Sequence, residues 1–204
     1  MSGKIAEQAW EILEGVRRRS VSPYVPVVRS DSLKILLDTA ASIAPSRILE
    51  IGTAVGYSSS LLALMCEGAI VDTVDIDADR MDLARQLWTT LGVDGRICSY
   101  LGDVREVIDE IIEGKRYELV FMDGPKSAYL PLLKKILPHM SAGGAIVSDN
   151  VGYLNLVKGD AYPPHKHRTI VRNMRQYLEY VQGNGMDTAI YYELGDGIAV
   201  SRIL

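Results

Sequence analysis

The stretch Arg47-Ile48-Leu49-Glu50-Ile51-Gly52-Thr53-Ala54-Val55-Gly56-Tyr57-Ser58-Ser59 decides how this chain folds. A short apolar run ends in a turn marked by two glycines, and that turn opens a helix-like segment. Outward from it the same alternation repeats. Candidate strands lie at Arg47–Ile51, Ile70–Asp75, Ile97–Leu101, Leu119–Asp123 and Ala145–Ser148, separated by candidate helices at 57–66, 78–91, 103–113 and 127–138. Strands alternating with helices predict a parallel sheet joined by crossover helices. Near the end, TAIYYEL and GIAVSRI flank Gly195-Asp196-Gly197, and so short a turn predicts an antiparallel hairpin.

Upstream, Ile5, Trp10, Ile12, Leu13 and Val16 recur at three- and four-residue intervals, the stripe of an amphipathic helix ending at Arg17-Arg18-Arg19. Pro26 biases Tyr24–Val28 toward extended backbone, and Ser30 or Asp31 can cap a helix over 32–44. The expected architecture is a single α/β domain over 1–204, with 1–44 as a helical N-terminal addition.

A chain of 204 residues with 48% apolar and 24% charged residues buries a full core, which excludes long disorder and a disulfide scaffold. Its net charge of −4 argues against a globally basic, duplex-coating protein. Cys66 and Cys98 have no metal-ligand or redox spacing, and both read as small core residues in a reducing cytosol. No apolar stretch has the length of a membrane span, so a cytoplasmic location is expected.

In an open parallel sheet, ligands collect beyond the carboxyl ends of the strands, where the winding direction reverses. Four of these ends carry acids: Asp75, Asp103, Asp123 and Asp149. Gly52 and Gly56 let the backbone approach a ligand, and the following helix offers free N–H groups. The spacing is G-x-x-x-G, without the third glycine of the dinucleotide fingerprint or the lysine of a phosphate loop. A nicotinamide oxidoreductase is accordingly disfavoured. Asp75 sits where a carboxylate accepts hydrogen bonds from ribose hydroxyls. Asp103 follows the third strand, where it serves equally as a helix cap, and Asp77 or Asp79 reads as a cap of the helix after the second strand. The order of glycine turn, ribose acid and third-strand acid indicates a bound nucleoside.

Phe121-Met122-Asp123-Gly124-Pro125-Lys126 and Ser148-Asp149-Asn150 add a different chemistry. If their strands are neighbours, two carboxylates and an amide oxygen converge, a hard-oxygen set suited to magnesium, manganese or calcium. Without a cation the same residues read as a turn at Asp149-Asn150 and a helix cap at Asp123.

With these pieces assembled, the chain resembles the cation-dependent, S-adenosylmethionine-using O-methyltransferases, the group containing catechol and caffeoyl-CoA O-methyltransferases. Within that group it is most similar to the small bacterial members that methylate 5-hydroxyuridine at the tRNA wobble position. The likeness runs through YVPVVRSDSL, RILEIGTAVGYSSSLLA, VDIDADR, LGDVREVI, VFMDGPKSAY, GGAIVSDNV, HRTIVRNMRQY and GDGIAVS. It implies a Rossmann-like class I methyltransferase fold, a seven-stranded, mostly parallel sheet with an antiparallel last strand. It implies that Val28 and Ser58 line the methionine end of the cofactor, that Asp75 binds the ribose, and that Asp103 lies beside the adenine. Gly52, Val104 and Asp123 complete the cofactor set. Asp123, Asp149 and Asn150 are implied as metal ligands, and Lys126, with Asp123 beside it, takes the catalytic position. Gly124-Pro125 departs from the pattern, since relatives carry other small or polar residues there. Members of the group commonly pair as homodimers.

A metal-dependent O-methyltransferase is therefore expected, with tRNA 5-hydroxyuridine as the leading acceptor. A small catechol-like or hydroxycinnamoyl phenol is the alternative, because both acceptor types offer two oxygens on adjacent atoms. A catalytically inert nucleoside-binding module is the reading from another class. From Lys158 to Arg175 five bases face the single acid Asp160, a local charge of +4 that suits the phosphates of a tRNA anticodon loop. His165 and His167 can add to it when protonated, and Tyr153 or Tyr162 can stack on an extruded base. Read plainly, the same segment is a solvated helix face, with Tyr177 and Tyr180 as packing residues.

Overall fold

The computed structural model describes residues 3–19, 30–159 and 162–204, the side chains of residues 3–6 and 19 excepted. The helices are α1 (Gly3–Arg19), α2 (Ser30–Ile43), α3 (Tyr57–Met65), α4 (Ala78–Leu91), α5 (Val104–Ile112), α6 (Tyr129–Ile136) and α7 (Arg168–Gly183). The strands are β1 (Arg47–Ile51), β2 (Ile70–Asp75), β3 (Ile97–Leu101), β4 (Tyr117–Met122), β5 (Met140–Asp149), β6 (Met186–Tyr191) and β7 (Ile198–Ile203). They form a seven-stranded sheet in the order β3-β2-β1-β4-β5-β7-β6. β1 to β5 pair in parallel, and β7 runs antiparallel to both β5 and β6.

Alternation along the central strands builds the two faces of the sheet. Leu49 and Ile51 of β1, with Val120 and Met122 of β4, pack with α5, α6 and α7. Ile48, Leu119 and Phe121 point the other way and pack with α2, α3 and α4. That period of two commits each strand to one register, because a one-residue slip would exchange the faces. The helices start where local chemistry allows. Gly56, at φ 76°, ends the glycine turn and opens α3, the Asp77 carboxylate accepts from the Arg80 N–H at the start of α4, and Gly92 closes α4 in the left-handed region.

Several expectations need correction. β4 begins at Tyr117 and β5 at Met140, both ahead of the predicted starts at Leu119 and Ala145. The cause is a register shift between Tyr117 and Leu119, a bulge that Gly143 and Gly144 accommodate. A Cβ on Gly144 would lie 2.7 Å from the Glu118 carbonyl oxygen, so glycine lets the two backbones close up within the strand. Cys98 is exposed, and only Cys66 is buried. In α1, Leu13 packs against Tyr57 and Leu61, whereas Trp10 is 56% exposed. Tyr24–Val28 lies outside the described residues, which leaves the expected cofactor contact of Val28 without a structural counterpart. Among the described residues, no helix is long and apolar enough to cross a membrane.

Candidate active site

The winding direction reverses at β1, which lies between β2 on one side and β4 on the other. A cleft of about 240 Å³ opens there beyond the strand ends. Gly52, Asp75, Asp103, Val104 and Asp123 all line it, so five of the expected cofactor residues share one wall. Sequence reasoning missed Ile76, which is 67% exposed and lines the same cleft next to Asp75. An apolar side chain left bare beside a polar strand end offers a face to a flat ring, and its only signal in the sequence is its place in the Val74-Asp75-Ile76-Asp77 run.

The cleft is held open from below. Asp75 Oδ2 accepts from the Ala54 N–H at 2.7 Å, and Oδ1 accepts from the Asp77 N–H at 3.0 Å. The carboxylate therefore fixes the glycine turn while keeping lone pairs for a ligand. Asp103 caps α5 through the Arg105 N–H and pairs with the Arg105 side chain, which pulls its pKa down to about 2. The cap and the cleft wall are thus one residue.

Ser58 lies in the first turn of α3. It is buried under the turn and donates to Glu50 Oε1 at 2.5 Å, outside the cleft wall. Thr73 donates to the other Glu50 oxygen at 2.6 Å and also bonds the Thr53 hydroxyl. Burial pushes the Glu50 carboxyl up to about 7 despite these hydroxyls.

The second cluster lies at the ends of β4 and β5. Met122 and Ser148 are register partners, so Asp123 and Asp149 stand side by side one step further on. Neighbouring strands run only about 5 Å apart. Ser32, on α2, donates to Asp149 Oδ1 at 2.8 Å, and the Asn150 N–H reaches the same oxygen at 2.9 Å. Among the described residues no donor reaches Asp149 Oδ2, Asp123 Oδ2 or the Asn150 side-chain amide. Asp149 is almost fully buried, and burial followed by the nearby Asp123 charge raises its pKa. Two adjacent carboxylates and an amide oxygen, each with an open lone pair, fit a hard divalent cation. No group of three or more His, Cys, Asp and Glu side chains suited to a metal occurs among the described residues, so the amide of Asn150 is needed to complete the set. Asp123 caps no helix; the short turn at Lys126–Ala128 and α6 both begin without a side-chain cap.

Pro125 leads into that turn and leaves Lys126 facing back toward the cluster. The Lys126 ammonium donates to Asp123 Oδ1 at 3.1 Å and to the Tyr129 hydroxyl at 2.9 Å. Tyr129, fully buried, has the Met122 and Asp149 carbonyl oxygens at 2.7 and 3.0 Å, which ties the lysine to both strand ends. Ser32 and Tyr129 fall within YVPVVRSDSL and VFMDGPKSAY, but their roles here arise from packing and were not singled out.

The seven-stranded sheet in this order, with helices on both faces, is that of the class I methyltransferase fold. The chain belongs to the O-methyltransferase family, whose model matches residues 7–204. It is 30% identical to a caffeoyl-CoA O-methyltransferase of Medicago sativa over 164 residues, covering 76% of this chain and 65% of that protein. It is 25% identical to tapetum-specific methyltransferase 1 of Arabidopsis thaliana over 95% of this chain and 87% of that protein. In fold it is similar to an O-methyltransferase from Bacillus cereus solved with SAH, with a TM-score of 0.83, 20% identity, and coverage of 95% and 91% of the two chains. At the level of the family the expectation from the sequence holds, that of an S-adenosylmethionine-dependent O-methyltransferase.

Proposed function

We propose that this chain methylates one hydroxyl of a small acceptor carrying two adjacent oxygens, of the catechol or hydroxycinnamoyl kind, with a divalent cation held by Asp123, Asp149 and Asn150. The observation that carries the reading is the double membership of Asp123. Its residue lines the nucleoside cleft, and its carboxylate stands beside Asp149 in the cluster of open oxygen donors. Methyl donor and acceptor would meet across that one side chain. The relatives named as caffeoyl-CoA O-methyltransferases favour a small phenolic acceptor over RNA.

The sulfonium methyl of the donor is already activated, so the protein must align a nucleophilic oxygen with it and help that oxygen lose its proton. A divalent cation held by Asp123, Asp149 and Asn150 would lower the pKa of the acceptor hydroxyl. Asp75 and the glycine turn hold the nucleoside. In its neutral amine form Lys126, fixed by Asp123 and Tyr129, receives the hydroxyl proton, or water receives it instead. The carbon–sulfur bond breaks as the carbon–oxygen bond forms, and S-adenosylhomocysteine leaves.

A tRNA acceptor carrying 5-hydroxyuridine is the second reading. What favours it is the basic segment, where Lys158, Lys166, Arg168 and Arg172 are exposed. Part of that charge is already engaged: Arg168 lies 4.3 Å from the Tyr162 ring centroid, and Arg175 donates to the Val157 and Leu156 carbonyl oxygens. Labelled S-adenosylmethionine should be tested with a catechol, a caffeoyl thioester and 5-hydroxyuridine tRNA, each with and without EDTA. Transfer to the phenols that EDTA abolishes, and that Lys166→Ala with Arg168→Ala leaves intact, supports the proposal. Transfer to tRNA alone moves the acceptor to RNA. Binding of S-adenosylhomocysteine without turnover on any acceptor makes the chain an inert nucleoside-binding module.

A further inference from the structure

The segment after Asn150 has a backbone that needs an external hold. Asn150, Tyr153, Leu154 and Asn155 all have positive φ, at 55°, 38°, 56° and 57°. None is glycine, and three are consecutive. Asparagine tolerates this region, but bulky residues such as Tyr153 and Leu154 avoid it and stay there only when their surroundings dictate it.

What dictates it is the loop 192–197 between β6 and β7, longer than the short turn the sequence suggests. The Val151 N–H donates to the Gly197 carbonyl oxygen at 2.9 Å and the Gly152 N–H to the Asp196 carbonyl oxygen at 2.7 Å. The Leu154 N–H, at the middle of the left-handed run, donates to the Asp196 carboxylate at 2.6 Å. A Cβ on Gly152 would lie 2.7 Å from the Asp196 carbonyl oxygen, and one on Gly197 would lie 2.7 Å from the Gly152 nitrogen. Two glycines let the backbones touch, and one carboxylate then fastens the loop tip. Asp196 lies outside the nucleoside cleft and makes no hydrogen bond to Asp123, Asp149 or Lys126.

We propose that Asp196 is a positioning residue that locks the loop from Asn150 to Leu156 and so aims the Asn150 amide toward the cation site. This rests on the reading of Asn150 as a ligand given above. The loop bond itself is independent of that reading, because it joins Asp196 to Leu154.

The test compares Asp196→Ala with Asp196→Asn, whose side-chain oxygen can still accept from Leu154. Amide hydrogen exchange of the 151–157 segment, Mn2+ binding followed by electron paramagnetic resonance, and S-adenosylhomocysteine affinity are measured on each. Asp196→Ala should speed loop exchange and weaken Mn2+ binding by about tenfold, with S-adenosylhomocysteine affinity kept within about twofold. Asp196→Asn should recover most of both. Unchanged loop exchange in Asp196→Ala overturns the proposal, as does loss of the nucleoside in proportion to the metal, which marks general unfolding. Wild-type protein that binds no Mn2+ overturns the ligand reading of Asn150 and with it the aiming role. The exchange data then still decide whether Asp196 locks the loop.

Discussion

Gly52 and Asp123 are in backbone contact: a Cβ on Gly52 would stand 2.5 Å from the Asp123 carbonyl oxygen, and the φ of Gly52 is +100°. The turn that borders the nucleoside cleft thus rests on the strand end that carries the carboxylate cluster. Gly52→Ala meets rigid backbone in a conformation that alanine avoids. It should cost about 1–3 kcal/mol of stability and weaken nucleoside and Mn2+ binding together. Denaturant unfolding and calorimetric titration check both effects. A variant that loses only one of the two ligands would disconnect the subsites.

Lys126→Met removes the proton acceptor while keeping much of the side-chain length. Turnover should drop by about 10²–10⁴, with S-adenosylhomocysteine affinity unchanged, since the lysine touches Asp123 and Tyr129 rather than the turn. Single-turnover kinetics beside calorimetry separate these quantities. Wild-type turnover in the variant would leave the proton to water alone.

Most of the fold was legible in the sequence because β1, β2 and β3 are short apolar runs bounded by turn residues, and their bounds match the structure residue for residue. The start of β5 was not, since a bulge at Gly143-Gly144 depends on the facing Glu118 backbone. The bounds of α7 were hidden by charge, although Val171, Met174, Leu178 and Val181 recur at helical spacing and are all buried. Asp75, Asp103, Asp123 and Asp149 could be found because strand ends are where such sheets bind ligands. The buried partner of Ser58 was not legible: a serine at a helix start reads the same with or without an acid beneath it, and only packing brings Glu50 to it.

Glu50 sets a pH dependence of stability. Its folded pKa is raised from 4.5 to about 7, so between these values the native state keeps a proton that the unfolded chain releases. Its contribution therefore stabilises the fold at low pH, shrinks as pH rises from about 4.5, and is gone above about 7. Glu50→Gln, which resembles the protonated form, should flatten that part of the profile. Melting temperatures taken across this range test it, and an unaltered slope in the variant would assign the dependence to other groups.

Asp149 couples the cation site to pH with a definite sign. Burial and Asp123 raise its pKa, and a protonated carboxyl is a poor ligand, so divalent-ion affinity should fall as pH falls. Asp149→Ala should reduce Mn2+ affinity by at least about 100-fold, the upper end for losing a supporting partner. Titrations of wild type and variant at several pH values check the slope and the loss.

The most direct measurement is anomalous diffraction from crystals grown with S-adenosylhomocysteine and Mn2+. The expected result is a single manganese peak about 2.0–2.6 Å from one oxygen each of Asp123, Asp149 and Asn150, beside a nucleoside whose ribose meets Asp75. A filled nucleoside cleft with no manganese among those three oxygens would contradict the proposed chemistry.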